Sequence, residues 1–531
     1  MKSVIQHITA LMLCVLLILP LSSACLTAQA QESTEARDVS SKRLVTEFEG
    51  FASVHYLFND DIVAGYESEE TASLTIAREE GIGFLYIIFG RVYGDYRITN
   101  NDTGETFTAG SNRFIHEFID LQGIFAAPPK SVTIAFDNGP SLINEIYVYT
   151  PGRVPSHIQQ WEQPVNDKTD LILFSTHGDD EHLFFAGVLP YYAGELGYQV
   201  QVIYFTDHHN NGNYRIHEML NGLWKIGVHT YPVFGVYEDR LTRSKDWAYR
   251  FLEEDGYTKE DVVGFVTEQL RRFKPLVVVG HDFAGEYGHG QHMVYAETLA
   301  AAVEISNDPN AYPQSASRYG TWDVPKAYFH LYKENRIVMN WDRPLERYGG
   351  RTAFSVSVFT GFQEHQSQVE DYSWYYEDCY SAAAIPLYSP CYYGLYRTTV
   401  GPDVEKNDFF ENLTNYAEQE RIAEEERLKA EEERRKAEEE ERRKAEEEAR
   451  RREEEERRKA EEARLQAEAE AAKAAKAAKD SESARLLKLP KPWMLVAILG
   501  ILLQLKIIIA FRRSRLRTRM KIARIKKSKL F

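Results

Sequence analysis

Cysteine is scarce: the chain of 531 residues holds four, Cys14, Cys25, Cys379 and Cys391. Two of them fall in an N-terminal stretch, residues 1–30, that reads as a secretory signal peptide. Lys2 supplies its charge, Ala10–Leu21 its apolar segment, and Ala28-Gln29-Ala30 a small-x-small cleavage site before Gln31. A lipoprotein reading of Cys25 fails because Ser22-Ser23-Ala24 lacks the large aliphatic residue such a signal needs. Cleavage leaves Cys379 and Cys391, and two cysteines at that separation in an exported chain are expected to form a disulfide rather than a metal pair. Positive charge is scarce too. The net charge is −17, yet residues 512–531 carry ten Lys or Arg and no acid, which leaves −27 for everything before them. A body this acidic excludes nucleic acid as a partner, because phosphate neutralisation needs a basic face.

Helical periodicity is absent between residues 40 and 155. Gly83–Phe89, Asp95–Thr99, Glu105–Thr108, Ser131–Phe136 and Ile143–Tyr149 alternate or run apolar over strand lengths, with turn residues between them. The pattern predicts an antiparallel β-sandwich-like domain. In composition it resembles the galactose-binding-like jelly rolls attached to extracellular carbohydrate enzymes, although a purely structural domain fits as well. From residue 160 the pattern changes. A strand at 170–176, a helical stretch near 182–196, a strand at 198–206, helices at Arg215–Ile226 and Lys259–Phe273, a strand at Pro275–Gly280 and a helix from about Gln291 alternate along the chain. Such alternation predicts an α/β fold, a Rossmann-like parallel sheet with helices on both faces, over 160–411. Ligands on such sheets bind at the carboxyl ends of the strands.

Residues 417–478 lack an apolar seam. Alanine is the recurring apolar residue, and Leu428 and Leu465 are too sparse for heptads. Glu four residues ahead of Arg or Lys recurs instead, as in Glu431–Arg435 and Glu432–Lys436, each pair contributing about 0.2–0.5 kcal/mol. The expected element is a solvated single helix about 90 Å long that acts as a stalk, with an oligomerising coiled coil as the alternative. Residues 493–511 form an apolar run of bilayer-spanning length between Pro492 and the basic tail 512–531. The positive-inside tendency makes that tail cytoplasmic and places the body outside the cell or in the periplasm. The predicted chain is therefore single-pass, held in the cell membrane by one C-terminal transmembrane helix. Leu489–Trp493 has no Thr-Gly, so a retained anchor is expected rather than sortase processing.

The chemistry concentrates at two strand ends. Leu171–Thr176 stops at His177-Gly178-Asp179-Asp180-Glu181-His182, and Leu276–Gly280 is followed by His281, His289 and His292. His177 and Asp180 can aim at one point. Nitrogen and carboxylate oxygen are good zinc ligands, and a catalytic zinc takes three protein ligands while leaving a position for water. Asp179 and Asp180 are neighbours, so one can bind metal while the other faces water. The third ligand is expected from the second strand end, with His281, His289 and His292 as alternatives.

His177-Gly-Asp-Asp-Glu181 together with Gly285-Glu-Tyr-Gly-His-Gly-Gln-His292 resembles the PIG-L/LmbE-like family of zinc-dependent N-acetylglucosaminyl deacetylases. That family reads His-Pro-Asp-Asp-Glu at the first site and His-x-x-His at the second. The motifs cover 165–305, and His365-Gln-Ser-Gln368, similar to a His-x-Ser-Gln element of several members, extends the likeness. The resemblance implies zinc held by His177, Asp180 and His292, with Asp179 as general base. It implies that His289 stabilises the oxyanion or protonates the leaving amine, and that Tyr287 polarises the acetyl carbonyl. Arg215 and Glu218, in an Arg-x-x-Glu arrangement at a helix start, are expected either to touch the sugar or to form a surface ion pair. Gly178 departs from the family's proline, which puts the rigidity of the loop in question. His182 reads as a helix-start side chain.

The expected function is a membrane-anchored zinc deacetylase acting on an N-acetylated amino sugar of an envelope or wall glycan. Two rival readings are a carbohydrate-binding or adhesive surface protein with an inactive site, and an amidohydrolase for another N-acyl substrate. Oligomeric state is not legible.

Overall fold

The computed structural model describes residues 34–208, 213–482, Gly500 and 503–506. The expected signal segment 1–30, the basic tail 512–531 and most of the apolar run 493–511 lie outside them. Among the described residues, no helix is long and apolar enough to cross a membrane.

The described residues up to Ala423 form one compact unit. Its first part contains β1 (Val45–Glu49), β2 (Tyr66–Glu67), β3 (Ala72–Ala77), β4 (Phe84–Phe89), β5 (Tyr96–Asn100), β6 (Thr106–Ala109), β7 (His116–Ile119), β8 (Ser131–Phe136) and β9 (Leu142–Tyr149). They pair antiparallel into two sheets, ordered β1-β3-β8-β5-β6 and β2-β9-β4-β7. Alternate residues such as Leu74 and Ile76 on β3, Leu85 and Ile87 on β4, and Val132 and Ile134 on β8 meet in one core between them. The sandwich expected from period-2 patterning is the one observed.

The second part is built on β10 (Leu171–Ser175), β11 (Val200–Thr206), β12 (Val233–Tyr237), β13 (Val277–Gly280), β14 (Lys326–His330), β15 (Arg336–Val338) and β16 (Tyr392–Thr398). The sheet order is β12-β11-β10-β13-β14-β16-β15. The first five strands are parallel, and β16 and β15 are added antiparallel. Helices α1 (Asn213–Lys225), α2 (Lys245–Glu254), α3 (Lys259–Phe273) and α4 (Gly290–Ile305) connect and cover the strands. Leu171 and Leu173 face one core, shared with Leu220 and Leu223 of α1. Ile172 and Phe174 face the other, shared with Val266 of α3 and Leu299 of α4. Both faces are buried, which is why these strands read as continuous apolar runs rather than alternating ones. The ends of α3 follow from local chemistry. Thr258 and Asp261 form a capping box, and Lys274 closes the helix in a left-handed conformation at φ 47°.

Strand order reverses between β10 and β13, so the crevice at their carboxyl ends is the topological switch point where doubly wound sheets bind ligands. The helical stretch expected near 182–196 begins later, as π-type turns over Pro190–Glu195. The disulfide expected between Cys379 and Cys391 is not formed, and both are free thiols. Cys379 Sγ donates locally to the Ala384 carbonyl at 3.5 Å. Cys391 is packed in the core, where burial pushes its thiol up to about 11.

The long helix α5 (Tyr416–Glu482) continues into a second unit, which begins at Glu424. Over residues 424–478 its side chains are exposed and many are linked by pairs four residues apart, such as Glu432–Lys436 at 2.7 Å and Glu440–Lys444 at 2.6 Å. Leu428 and Leu465 are exposed, in keeping with the missing seam.

Candidate metal centre

The turn after β10 is tied down atom by atom. The His177 N–H donates to Asp180 Oδ2 at 2.9 Å and the Asp179 N–H donates to Glu181 Oε2 at 2.9 Å. Ser175 Oγ donates to the His177 carbonyl at 3.0 Å. The departure at position 178 is compensated here. The Gly178 N–H, which a proline would lack, donates to His208 Nε2 at 2.9 Å, and Arg215 donates to the Gly178 carbonyl at 3.0 Å. A Cβ at position 178 would lie 2.2 Å from Met219 Cγ, so the glycine lets the Met219 side chain of α1 pack directly against this loop.

At the centre of the site, His177 Nδ1 is 3.2 Å from Asp180 Oδ2 and His292 Nε2 is 3.2 Å from His177 Nδ1. His292 Nε2 lies 3.4 Å from Asp180 Oδ2, which closes a triangle. Ligands about 2.0–2.1 Å from a tetrahedral zinc are about 3.3–3.4 Å apart, so the three donor atoms fit such an ion. Among the three alternatives for the third ligand, the hydrogen bonds favour His292. His281 Nε2 accepts the Thr176 N–H at 3.0 Å and is already engaged. His289 caps α4, its Nδ1 accepting the Gln291 N–H at 3.2 Å, which leaves the proton on Nε2.

Carboxylates orient the imidazoles from behind. Asp239 Oδ1 sits 3.2 Å from His177 Nε2. Glu286 gathers three rings, with Oε2 at 2.9 Å from His281 Nδ1 and 2.7 Å from His292 Nδ1, and Oε1 at 2.6 Å from His330 Nδ1. Partners of this kind fix the tautomer and raise the basicity of a metal-binding imidazole. The electrostatics agree. Burial alone would lower His292, but Asp180 and Glu286 reverse that and push it up to about 9. Burial alone would raise Asp180, yet His292, His281 and His177 hold it well below the usual carboxylate range. The cluster attracts positive charge, as a cation site must.

Asp179 differs from its neighbour. It is buried beside Arg215, whose Nη2 lies 3.4 Å from Oδ2, and burial outweighs that cation to push the carboxyl up to about 7. His289 is driven the other way, to about 2, by burial and by His177 and His292. It is therefore a neutral imidazole and a donor through Nε2. Tyr287 holds a left-handed backbone at φ 44°, unusual for a bulky residue, and its OH is 3.2 Å from the Tyr372 OH. Its ring lies 5.5 Å from His289 and 5.7 Å from His292, centroid to centroid.

The expected residues His177, Asp179, Asp180, Arg215, Tyr287, His289 and His292 thus converge. Glu218 does not join them as a free sugar contact. Its two oxygens accept the Ser367 N–H at 2.8 Å and the Ser367 Oγ–H at 2.6 Å, anchoring the segment that carries His365. His182 is fully buried beside His365. Asp239, Glu286, His208 and His330 were not anticipated. Each sits at or just past the end of a parallel strand or on the loop that follows it, so applying the strand-end rule to every strand would have found them.

Fold and site define a doubly wound α/β domain whose switch point carries a histidine–carboxylate centre suited to a divalent metal. Residues 172–303 match the family described as PIG-L: GlcNAc-PI de-N-acetylase. The chain is 29% identical over 188 residues to a 1D-myo-inositol 2-acetamido-2-deoxy-alpha-D-glucopyranoside deacetylase of Mycobacterium leprae, a match covering 30% of this chain and 59% of that protein. The chain therefore spans less than two thirds of that relative. A deacetylase of the same description from Streptomyces avermitilis is 23% identical over 290 residues, covering 46% of this chain and 97% of that one. Among solved structures, N,N'-diacetylchitobiose deacetylase from Pyrococcus horikoshii aligns with a TM-score of 0.27 at 13% identity, covering 43% of this chain and 83% of that one.

Proposed function

We propose that the chain is a metal-dependent N-deacetylase that hydrolyses the acetamide of an N-acetylated amino sugar. The observation that carries this reading is the triangle of His177 Nδ1, Asp180 Oδ2 and His292 Nε2, with the raised carboxylate of Asp179 beside it. His177, Asp180 and His292 would hold zinc. When bound, the ion supplies Lewis acidity for the amide carbonyl and lowers the pKa of water at the site.

The chain's own residues divide the remaining work. Asp179, titrating near neutral pH, takes a proton from the attacking water and returns it to the departing amine. Arg215 favours the ionised form of Asp179 against burial and holds it in place. The His289 Nε2–H and the Tyr287 OH donate to the acetyl oxygen as it gains negative charge. The C–N bond breaks, and acetate and a free amine leave.

The M. leprae and S. avermitilis relatives are described as acting on an N-acetylglucosaminyl inositol, which supports an amino-sugar substrate here. The finer reading, an envelope or wall glycan met outside the membrane, rests on the sequence signals at 1–30 and 493–531 and on the helix at 416–482. The purified full-length chain should release acetate from N-acetylglucosaminides only when metal-loaded. Zinc-loaded chain that releases no acetate from inositol-linked or oligomeric N-acetylglucosamine would overturn the reading. Release of the 40–410 body by protease treatment of intact cells tests the location.

A further inference from the structure

Behind the first motif lies a second cluster that the proposed reaction does not use. Glu181, His182 and His365 are fully buried, and one ligand atom from each lies within 4.8 Å of the others. Glu181 Oε1 is 3.5 Å from His182 Nε2 and 3.8 Å from His365 Nε2, and the two rings meet edge-on with centroids 5.2 Å apart. Among the described residues, the Nε2 atoms of the two rings and Glu181 Oε1 meet no direct hydrogen-bond partner. Buried polar atoms are nearly always paired, so these three atoms, gathered around one point, call for an occupant. The space is open on one side because of glycine. A Cβ on Gly222 would lie 2.7 Å from His182 Nε2, 3.1 Å from His365 Nε2 and 3.0 Å from the Gly361 carbonyl oxygen.

We propose that Glu181, His182 and His365 form a second, structural site for a zinc-like divalent cation, with the Gly361 carbonyl facing the same space. Two imidazoles and a carboxylate are a donor set that suits zinc, and full burial suits a closed structural site. None of the three residues belongs to the His177, Asp180 and His292 triangle. The two centres are nevertheless coupled through one side chain, because the other oxygen of Glu181 accepts the Asp179 N–H at 2.9 Å. A cation here braces the loop that carries Asp179 against the 361–367 segment, whose Ser367 is held by Glu218.

The test is zinc stoichiometry of the full-length chain, stripped with chelator and titrated, with bound metal counted by mass spectrometry of the metal. The expected counts are two equivalents for the wild type, one for Asp180→Asn, one for His365→Gln, and none for the double variant. Zinc should also raise the melting temperature of Asp180→Asn but not of the double variant. A wild type that takes up one equivalent, lost in Asp180→Asn, overturns the proposal and leaves a buried water as the occupant. Asp180→Asn does not alter the second cluster, so its zinc count decides the matter even if His365→Gln fails to fold.

Discussion

Replacing Gly178 with proline, the residue the family pattern places there, should weaken this protein rather than strengthen it. Two effects follow from the structure. The N–H that donates to His208 Nε2 at 2.9 Å disappears, which leaves that nitrogen to Thr206 Oγ1 at 2.8 Å alone. Losing one such hydrogen bond costs about 0.5–1.5 kcal/mol. In addition, a Cβ would stand 2.2 Å from Met219 Cγ and 2.3 Å from its sulfur. Overpacking costs about 1–3 kcal/mol, with the lower end expected because methionine can change rotamer. Gly178→Ala carries the same Cβ but keeps the N–H, so the proline variant should be the less stable of the two by about 0.5–1.5 kcal/mol for the lost hydrogen bond. All tryptophans among the described residues before the long helix fall between Trp161 and Trp374, so tryptophan fluorescence in urea follows the α/β domain. Equal midpoints for Gly178→Pro and Gly178→Ala would refute the role given to His208, and a proline variant more stable than wild type would refute the whole account of this loop.

Two further outcomes are expected. Glu286→Gln removes the charge that faces His281, His292 and His330, and should weaken zinc binding about 10–100-fold in a competition titration, whereas unchanged affinity would show that Glu286 does not support the metal ligands. The second concerns acid stability. His217 on α1 is buried against the sandwich, its Nδ1 2.8 Å from His116 Nε2 and its Nε2 accepting from Asn144 at 3.0 Å. Burial lowers His217 from the ordinary 6.5 to about 4, so the neutral form belongs to the fold. Its contribution is complete above pH 6.5 and is lost as pH falls toward 4, by roughly 3 kcal/mol in total at about 1.4 kcal/mol per pH unit. His217→Gln should flatten the fall in unfolding midpoint between pH 7 and pH 4.5, and identical slopes would contradict this.

The parts legible in the sequence were those whose chemistry is local. Period-2 strands marked the sandwich, and apolar runs broken by helices marked the parallel sheet. His177–Asp180 and His289–His292 stood out because ligands and base lie within a few residues of one another at strand ends. What the sequence did not display was the layer behind the ligands. Glu286 lies inside the second motif yet reads as a spacer until folding brings His281, His292 and His330 around it. Asp239 and His208 are single residues past two other strands, and only the strand order places them beside His177 and Gly178. Glu218 looks available in the sequence, a carboxylate three residues from Arg215 on a helix, whereas Ser367, distant in sequence, donates to both of its oxygens. The pairing of Cys379 with Cys391 was inferred from scarcity and spacing alone, and neither thiol is oriented by spacing.

The central claim is that Asp180 holds metal while Asp179 handles the proton. It is tested most directly by measuring zinc content and acetate release side by side in wild type, Asp179→Asn and Asp180→Asn, with an N-acetylglucosaminide as substrate. Asp179→Asn should keep the wild-type zinc content and lose acetate release by at least about 100-fold, while Asp180→Asn should lose one zinc and activity together. Loss of zinc in Asp179→Asn with the fold intact, or wild-type turnover in that variant, would contradict the assignment.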